Sequence, residues 1–250
     1  MDSLRPAIWH LELMDEVSST QDAASRLAEG GAPEGVVVVA KAQTAGRGRS
    51  GRRWDSPVGG LYMSLVLRPS NSAQPQLLSL VGAFSVVLGI ESATGLKSSV
   101  RWPNDVLIRG RKVSGVLAEA SYSGKTLSYV VLGIGLNCNS RTSSLEGTQG
   151  TATSLLEELG RPVEVTNVRE RILDEFRLVY TRWLDGADIL KDAERFVGTL
   201  GKQVVAKAKS GAELSCTALE LESTGGLVVL NQGKKVVLHA EDLEWLREEL

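Results

Sequence analysis

The sequence predicts an α+β chain: a mixed sheet with helices, followed by a small β-barrel. Three observations point there. Up to about residue 197, strand-like and helix-like apolar patterns are interleaved. Within that stretch the spacing Val168, Ile172, Phe176, Val179, Trp183 marks a strongly amphipathic helix over 167–184. After Gly198 only short strand-like runs remain, near 203–208, 212–222, 226–231 and 234–239, parted by the turn pairs Ser210-Gly211, Gly225-Gly226 and Gln232-Gly233. The expected division is a first domain over 1–197 and a small barrel over 198–250.

The elements follow in order. Ile8 to Leu13 alternates, with Trp9, Leu11 and Leu13 on one face, and reads as a strand. Ser18 and Gln21 stand at capping-box spacing, Ala23, Ala24, Leu27 and Ala28 supply a helical stripe, and Gly30-Gly31 ends it. Val36 to Ala40 is a β-branched run between breakers, and 41–58 is a polar loop rich in Gly and Arg. Leu61 to Leu67 alternates again, and Gln76 to about Thr94 is apolar enough for a core helix. Strands are expected at 99–102, 105–109, 112–122 and 126–137, and a helix at 153–159.

Composition narrows the class. With 250 residues, 42% hydrophobic and 23% charged, the chain can bury a sizeable core, and disorder as its dominant state is excluded. The 28 Lys and Arg against 30 Asp and Glu leave a net charge of −2, whereas a chain wrapping nucleic acid over its whole surface is normally basic. Cys138 and Cys216 form no C-x-x-C pair, which excludes a disulfide framework and a cysteine zinc site. His10 and His239 fall on strands in different regions, with no local partner for a metal or a triad. Met1 to Leu13 lacks the apolar run of a signal peptide. The apolar run Leu78 to Ile90 falls short of the roughly 20 residues of a membrane span. The expected address is a reducing cytoplasm, with no membrane partner.

The segment Gln43 to Trp54 stands out. From Lys41 to Arg53 there are five cations and no acid, so the segment repels itself unless an anion joins it. Glycines between the arginines let main-chain N–H groups reach a phosphate that guanidinium forks also grip. Gly46-x-Gly48-x-x-Gly51 matches the dinucleotide fingerprint formally, but Arg52 to Pro57 opens no helix to receive a pyrophosphate. An anion clamp that orders over a small ligand, an RG-type nucleic-acid contact and a solvated basic loop all remain open. Trp54 could stack on a planar ligand or simply fill a core.

Lys112 begins the strand Lys112-Val113-Ser114-Gly115-Val116-Leu117. Simple alternation sets Val113, Gly115 and Leu117 on one face, and Lys112, Ser114 and Val116 on the other. A lysine held at a strand mouth offers a fixed positive charge to an anion; it also suits a soluble strand edge. Asn104 and Asp105 either close a turn after Pro103 or contact a nucleotide or a magnesium ion. Gly133-Ile134-Gly135 ends an apolar strand, where something flat, or another strand, packs against the backbone.

Taken together, Ser19-Thr20-Gln21, Gln43 through Trp54, Trp102-Pro103-Asn104-Asp105, Lys112-Val113-Ser114-Gly115 and Gly133-Ile134-Gly135-Leu136-Asn137 resemble biotin protein ligases, in order and spacing, from about residue 8 to 245. The resemblance implies a class II synthetase-like catalytic domain with an SH3-like barrel. It implies that biotin and MgATP give biotinyl-5′-AMP, and that biotin then passes to a lysine of a biotin carboxyl carrier domain of a biotin-dependent carboxylase. Carried onto matching positions, the roles put Ser19, Thr20, Gln21, Gln43, Arg47, Gly48, Arg49, Lys112, Gly115 and Gly135 around biotin. Arg49, Arg52, Trp54, Asn104 and Asn137 fall to ATP. Lys112, Arg47, Arg49 and Asp105 fall to catalysis, with Asp105 also a candidate Mg²⁺ contact and a candidate base.

Two departures from the family pattern are visible. Only about seven residues precede the first strand, so no helix-turn-helix and no DNA binding are expected. The stretch Ala240 to Arg247 departs from a glycine-acid-x-x-x-arginine ending, so no ATP contact is assigned to Arg247. A homodimer through the sheet is in keeping with the resemblance. The rival readings are a lipoate- or octanoate-transferring enzyme of similar fold, and a non-catalytic module binding nucleic acid through the Arg/Gly loop.

Overall fold

A computed structural model describes residues 9–70, 74–142 and 150–249. Two sheets organise the chain, in agreement with the expected fold class. The first has seven strands: β1 (His10–Val17), β2 (Val36–Gln43), β3 (Leu61–Leu67), β4 (Ser99–Arg101), β5 (Asp105–Ile108), β6 (Arg111–Ser123) and β7 (Thr126–Leu136). They stand in the order β1-β2-β3-β7-β6-β5-β4, with β1 and β2 parallel and every other neighbour antiparallel.

Helix α1 (Thr20–Glu29) covers one face of this sheet, and α2 (Leu78–Thr94) covers the other. Buried on both faces, β2 reads as the unbroken run Val36-Val37-Val38-Val39: Val37 joins the core under α2, while Val36 and Val38 meet Ala23 and Ala24 of α1. α2 in turn lies beneath α4 (Val165–Leu184), which explains why α2 is apolar all round and α4 only along its stripe. By length and composition the Pro75–Thr94 segment is apolar enough to cross a membrane, contrary to the expectation from the shorter run; here it is mostly buried between sheet and helix. The close approach of α2 and α4 depends on Gly89, where a Cβ would fall 2.5 Å from the Ile172 Cγ1 atom.

Two short helices, α3 (Leu155–Leu159) and α5 (Ile189–Glu194), complete this part; α5 has too few residues for its period to show in the sequence. The second sheet is antiparallel and five-stranded: β8 (Gln203–Ala208), β9 (Glu213–Leu221), β10 (Leu227–Asn231), β11 (Lys234–Leu238) and β12 (Leu243–Glu248), in the order β11-β10-β9-β8-β12. β12 is one strand more than expected. Its register against β8 shifts between Leu243 and Trp245, which breaks the two-residue alternation that would have revealed it. Trp102, almost wholly buried, ties the sheets together: its N–H donates to Thr199 Oγ1 (3.0 Å) and its Nε1–H to the Gly225 carbonyl (2.9 Å).

Three local expectations need correction. β1 runs on to Val17, and Ile8 lies outside the described residues. The cap of α1 is Ser19, whose Oγ accepts from Asp22 N–H, so the capping pair sits one residue later than Ser18 and Gln21. On β6 the alternation fails at Val113: Lys112 pairs with Leu107 and Ser114 with Val106, leaving Val113 as the extra residue of a bulge. Lys112 therefore shares a face with Gly115, and Val113, Ser114 and Val116 are all buried.

Candidate active site

On the sheet face that carries α1, the helix lies over β2, β3 and part of β7, and the glycines of β6 and β7 gather beyond it. There Gly115 and Gly135 stand opposite each other across the strands, and Gly133 precedes them by one two-residue repeat. Gly133 and Gly135 have no room for a side chain as their neighbours stand, and Gly115 has little. A Cβ on Gly133 would meet Gln21 Oε1 at 2.5 Å, one on Gly135 would meet Trp54 Nε1 at 2.5 Å, and one on Gly115 would meet Trp54 Cζ3 at 3.1 Å. The glycines thus form a floor, with Gln21 above one end and the Trp54 indole above the other.

At the Gln21 end a polar network closes on itself. Thr20 donates from its backbone N–H (2.7 Å) and its hydroxyl (3.1 Å) to Gln43 Oε1, and Gln43 Nε2 donates to Ser56 Oγ (2.8 Å). Ser56 Oγ donates to the Trp54 carbonyl, which carries the network into the arginine segment. Ser64 on β3, fully buried, lies 2.9 Å from Thr20 Oγ1 and donates to Gln21 Oε1 (3.0 Å), while Gln21 Nε2 donates to the Val131 carbonyl. Ser64 was not foreseen. Alternation of Leu61, Met63, Leu65 and Leu67 shows only that residue 64 faces away from the core.

The arginine segment is a folded strap. Gln43 bridges to Ser56 and Arg47 to Arg53, Gly48 N–H donates to the Arg52 carbonyl (2.7 Å), and Arg49–Gly51 makes one tight turn with Ser50 at φ 55°. Gly46 lies against the strap's return limb, where a Cβ would come within 2.4 Å of the Trp54 carbonyl oxygen. Arg47 straddles two carboxylates, Asp22 at the start of α1 and Glu119 on β6. The hydrogen bond that Arg47 donates to Asp22 leads the effects that raise its guanidinium above the ordinary value.

Arg49 differs from Arg47. It donates to Asn104 Oδ1 (3.2 Å) and to the Ala240 carbonyl (2.5 Å), both neutral, and among the described residues no carboxylate forms an ion pair with it. Burial, with some help from Arg52, pushes its guanidinium below the ordinary value. A cavity of about 230 Å³ opens beside it, bounded by Asn104, Gly225, His239 and Glu241. A larger one of about 670 Å³ lies away from these residues, between Trp183 and Leu221, and touches none of them.

Lys112 closes the Trp54 end. Its Nζ sits 5.2 Å from the centroid of the indole and 2.5 Å from Asp105 Oδ1, while Asp105 Oδ2 is 2.7 Å from Arg101. Burial pushes the Asp105 carboxyl up, but the two cations outweigh it and hold the group below the ordinary carboxylate value. Among the described residues no three His, Cys, Asp or Glu side chains gather as a metal cage. Ser19 caps α1, and Asn137 is occupied by the main chain, its Nδ2 donating to the Thr153 carbonyl (3.0 Å). Arg52 is exposed, with Nε on the Arg49 carbonyl, and Arg247 on β12 stacks over Trp245.

A model of the Biotin/lipoate A/B protein ligase family matches residues 13–137. The "Bifunctional ligase/repressor BirA" of Bacillus subtilis is 37% identical over 239 residues, covering 93% of this chain and 73% of that protein. The "Biotin--[acetyl-CoA-carboxylase] ligase" of Mycobacterium tuberculosis is 30% identical over 95% of this chain and 89% of its own length. Among solved structures, the biotin protein ligase of Aquifex aeolicus in complex with biotin and ATP superposes with a TM-score of 0.84 at 31% identity, covering 96% of this chain and 99% of that one.

Proposed function

The chain belongs to the Biotin/lipoate A/B protein ligase family, and on that premise we propose that it is a biotin protein ligase. It joins the biotin carboxylate to the α-phosphate of MgATP, releasing pyrophosphate, and then passes biotin from biotinyl-5′-AMP to a lysine amine of a carboxyl carrier domain, releasing AMP. The observation that carries this reading is the glycine floor, bounded by a hydrogen-bonding network at one end and by Lys112 at the other, with Arg49 held on Asn104, the neighbour in sequence of Asp105 that pairs Lys112.

The roles follow from chemistry. A fused, hydrogen-bonding ring system suits the end lined by Ser19, Thr20, Gln21 and Gln43, and the Trp54 indole, lying on the side-chain-free floor at Gly115 and Gly135, offers a face on which a flat ligand can stack. Attack of a carboxylate on a phosphate is opposed by repulsion between two anions, so fixed cations aimed at the reacting oxygens are the main lever. Lys112 and Arg49 fill that role. Arg49 is the better seat for an anion, because its present partners are neutral and its burial leaves the charge under-compensated.

Asp105, with each oxygen engaged by a cation, holds the Lys112 ammonium in place; a carboxylate below its ordinary value is a weak proton acceptor. Mg²⁺ arrives on the triphosphate. Trp54, Asn104, Arg52 and Asn137 are assigned to the nucleotide side, Arg47 and Gly48 to the strap that closes over the adenylate and keeps water from the anhydride. The chemistry belongs to residues 1–197, and the unit over 198–250 contributes the Ala240 carbonyl that fixes Arg49.

The decisive measurement is ATP–pyrophosphate exchange. Exchange should depend on added biotin, and Lys112→Ala should lower its rate at least about tenfold, the equivalent of roughly 1.4 kcal/mol. Exchange equal to the blank with biotin present would refute the proposal. Exchange driven by lipoate or octanoate instead would transfer it to the other branch of the family.

A further inference from the structure

Glu158 is a carboxylate on α3 with no solvent exposure at all, and the site as assigned makes no use of it. Burying an ion is costly unless its charge is matched, so its partners matter. Oε1 accepts from Arg111 Nη2 (2.6 Å) and from Thr153 Oγ1 (2.7 Å). Oε2 has no hydrogen bond and lies 3.4 Å from Arg109 Nη1. Glu158 thus grips both arginines of the β5–β6 turn and the segment that leads into α3.

Those two pieces are the ones that hold Lys112. Arg111 precedes it directly. On the other side, Lys112 N–H donates to the Thr151 carbonyl (2.9 Å), and Thr153 N–H donates to the Lys112 carbonyl (2.8 Å). The same segment bonds Asn137, whose own N–H donates to the Val113 carbonyl (2.9 Å) at the bulge that turns Lys112 toward the glycine floor. Asp105 fixes the tip of the lysine; Glu158 is tied to its main chain from both directions.

We propose that Glu158 is a positioning residue for Lys112, holding the bulged start of β6 in the register that aims the ammonium at the reacting anions. The inference rests on the role given to Lys112 above. Misplacement of a catalytic group by an ångström can cost on the order of a hundredfold even when its cause is remote. A neutral amide in place of the carboxylate keeps the shape but loosens the grip on both arginines.

The test is steady-state pyrophosphate exchange with Glu158→Gln. The expected result is a fall in kcat of about fivefold or more with KM for biotin within about twofold, since the vitamin's ring end is untouched. In a Lys112→Ala background, assayed at raised enzyme concentration, the same change should have almost no further effect, because a residue acting through Lys112 has nothing left to position. Arg111→Gln, which breaks the clamp from its half-exposed side, should repeat the pattern if Glu158→Gln proves too unstable to purify. Unchanged kcat, or an equal loss in both backgrounds, would overturn the inference while leaving the ligase reading intact. A wild type silent in exchange would overturn both.

Discussion

Single residues at this site are defined less by type than by what already occupies them. Lys112, Arg47 and Arg49 look alike in sequence as cations near glycines, yet two are matched by carboxylates and one is not. Ser64 makes the same point for neutral groups. Its hydroxyl is the link between Thr20 and Gln21, and Ser64→Ala leaves the buried Gln21 Oε1 without its donor. A lost hydrogen bond of this kind costs about 1 kcal/mol. The expected outcome is therefore KM for biotin raised roughly fivefold with kcat little changed. Equal KM values for wild type and variant in exchange kinetics would show that the network does not shape biotin binding.

At the scale of elements, the strap over 43–56 is the feature that composition foretold least well. The cation run from Lys41 to Arg53 left an anion clamp, an RG-type contact and a solvated loop all open, whereas the strap is folded by bridges at Gln43–Ser56 and Arg47–Arg53 and pinned by Asp22 and Glu119. Those two acids lie far off in sequence, so the run in isolation could not reveal its own counter-charges. Exposed ion pairs are individually weak, but here both act on one guanidinium. In limited trypsin digestion without ligands, Asp22→Asn combined with Glu119→Gln should speed cleavage after Arg47, Arg49, Arg52 or Arg53 about threefold or more. Cleavage at the wild-type rate would mean that the main-chain bridges alone hold the strap. Elements with a clean period, β3 and α4, and the unbroken apolar run of α2 were legible in sequence; the bulge at Val113 and the shift in β12 were not, because one extra residue inverts every later face.

For the molecule as a whole, the links between layers decide how stability answers to pH. Glu34 joins the sheet to α4: its Oε2 accepts from Arg68 N–H (2.6 Å) and from the Tyr180 hydroxyl (3.2 Å). Burial raises its carboxyl above the ordinary 4.5 and outweighs the hydrogen bonds and the Arg68 charge that act the other way. A raised folded value means that the fold prefers the neutral acid. The stabilisation is complete below about pH 4.5 and is lost as pH rises through the folded value. Glu34→Gln keeps an acceptor for both donors and cannot ionise, so urea midpoints measured upward from pH 4.5 should fall less for the variant than for the wild type; parallel curves would exclude Glu34 as the cause. The mixed sheet followed by an antiparallel one, the apolar helix between layers and the types of the polar groups that the candidate site gathers were determined by the sequence itself, because period and residue type are local properties. Which of those groups share a face, which cations already face carboxylates, and which partners Ser64, Glu119 and Glu158 take were decided only by the tertiary structure, because strand register and buried charge pairing depend on residues far apart in the chain.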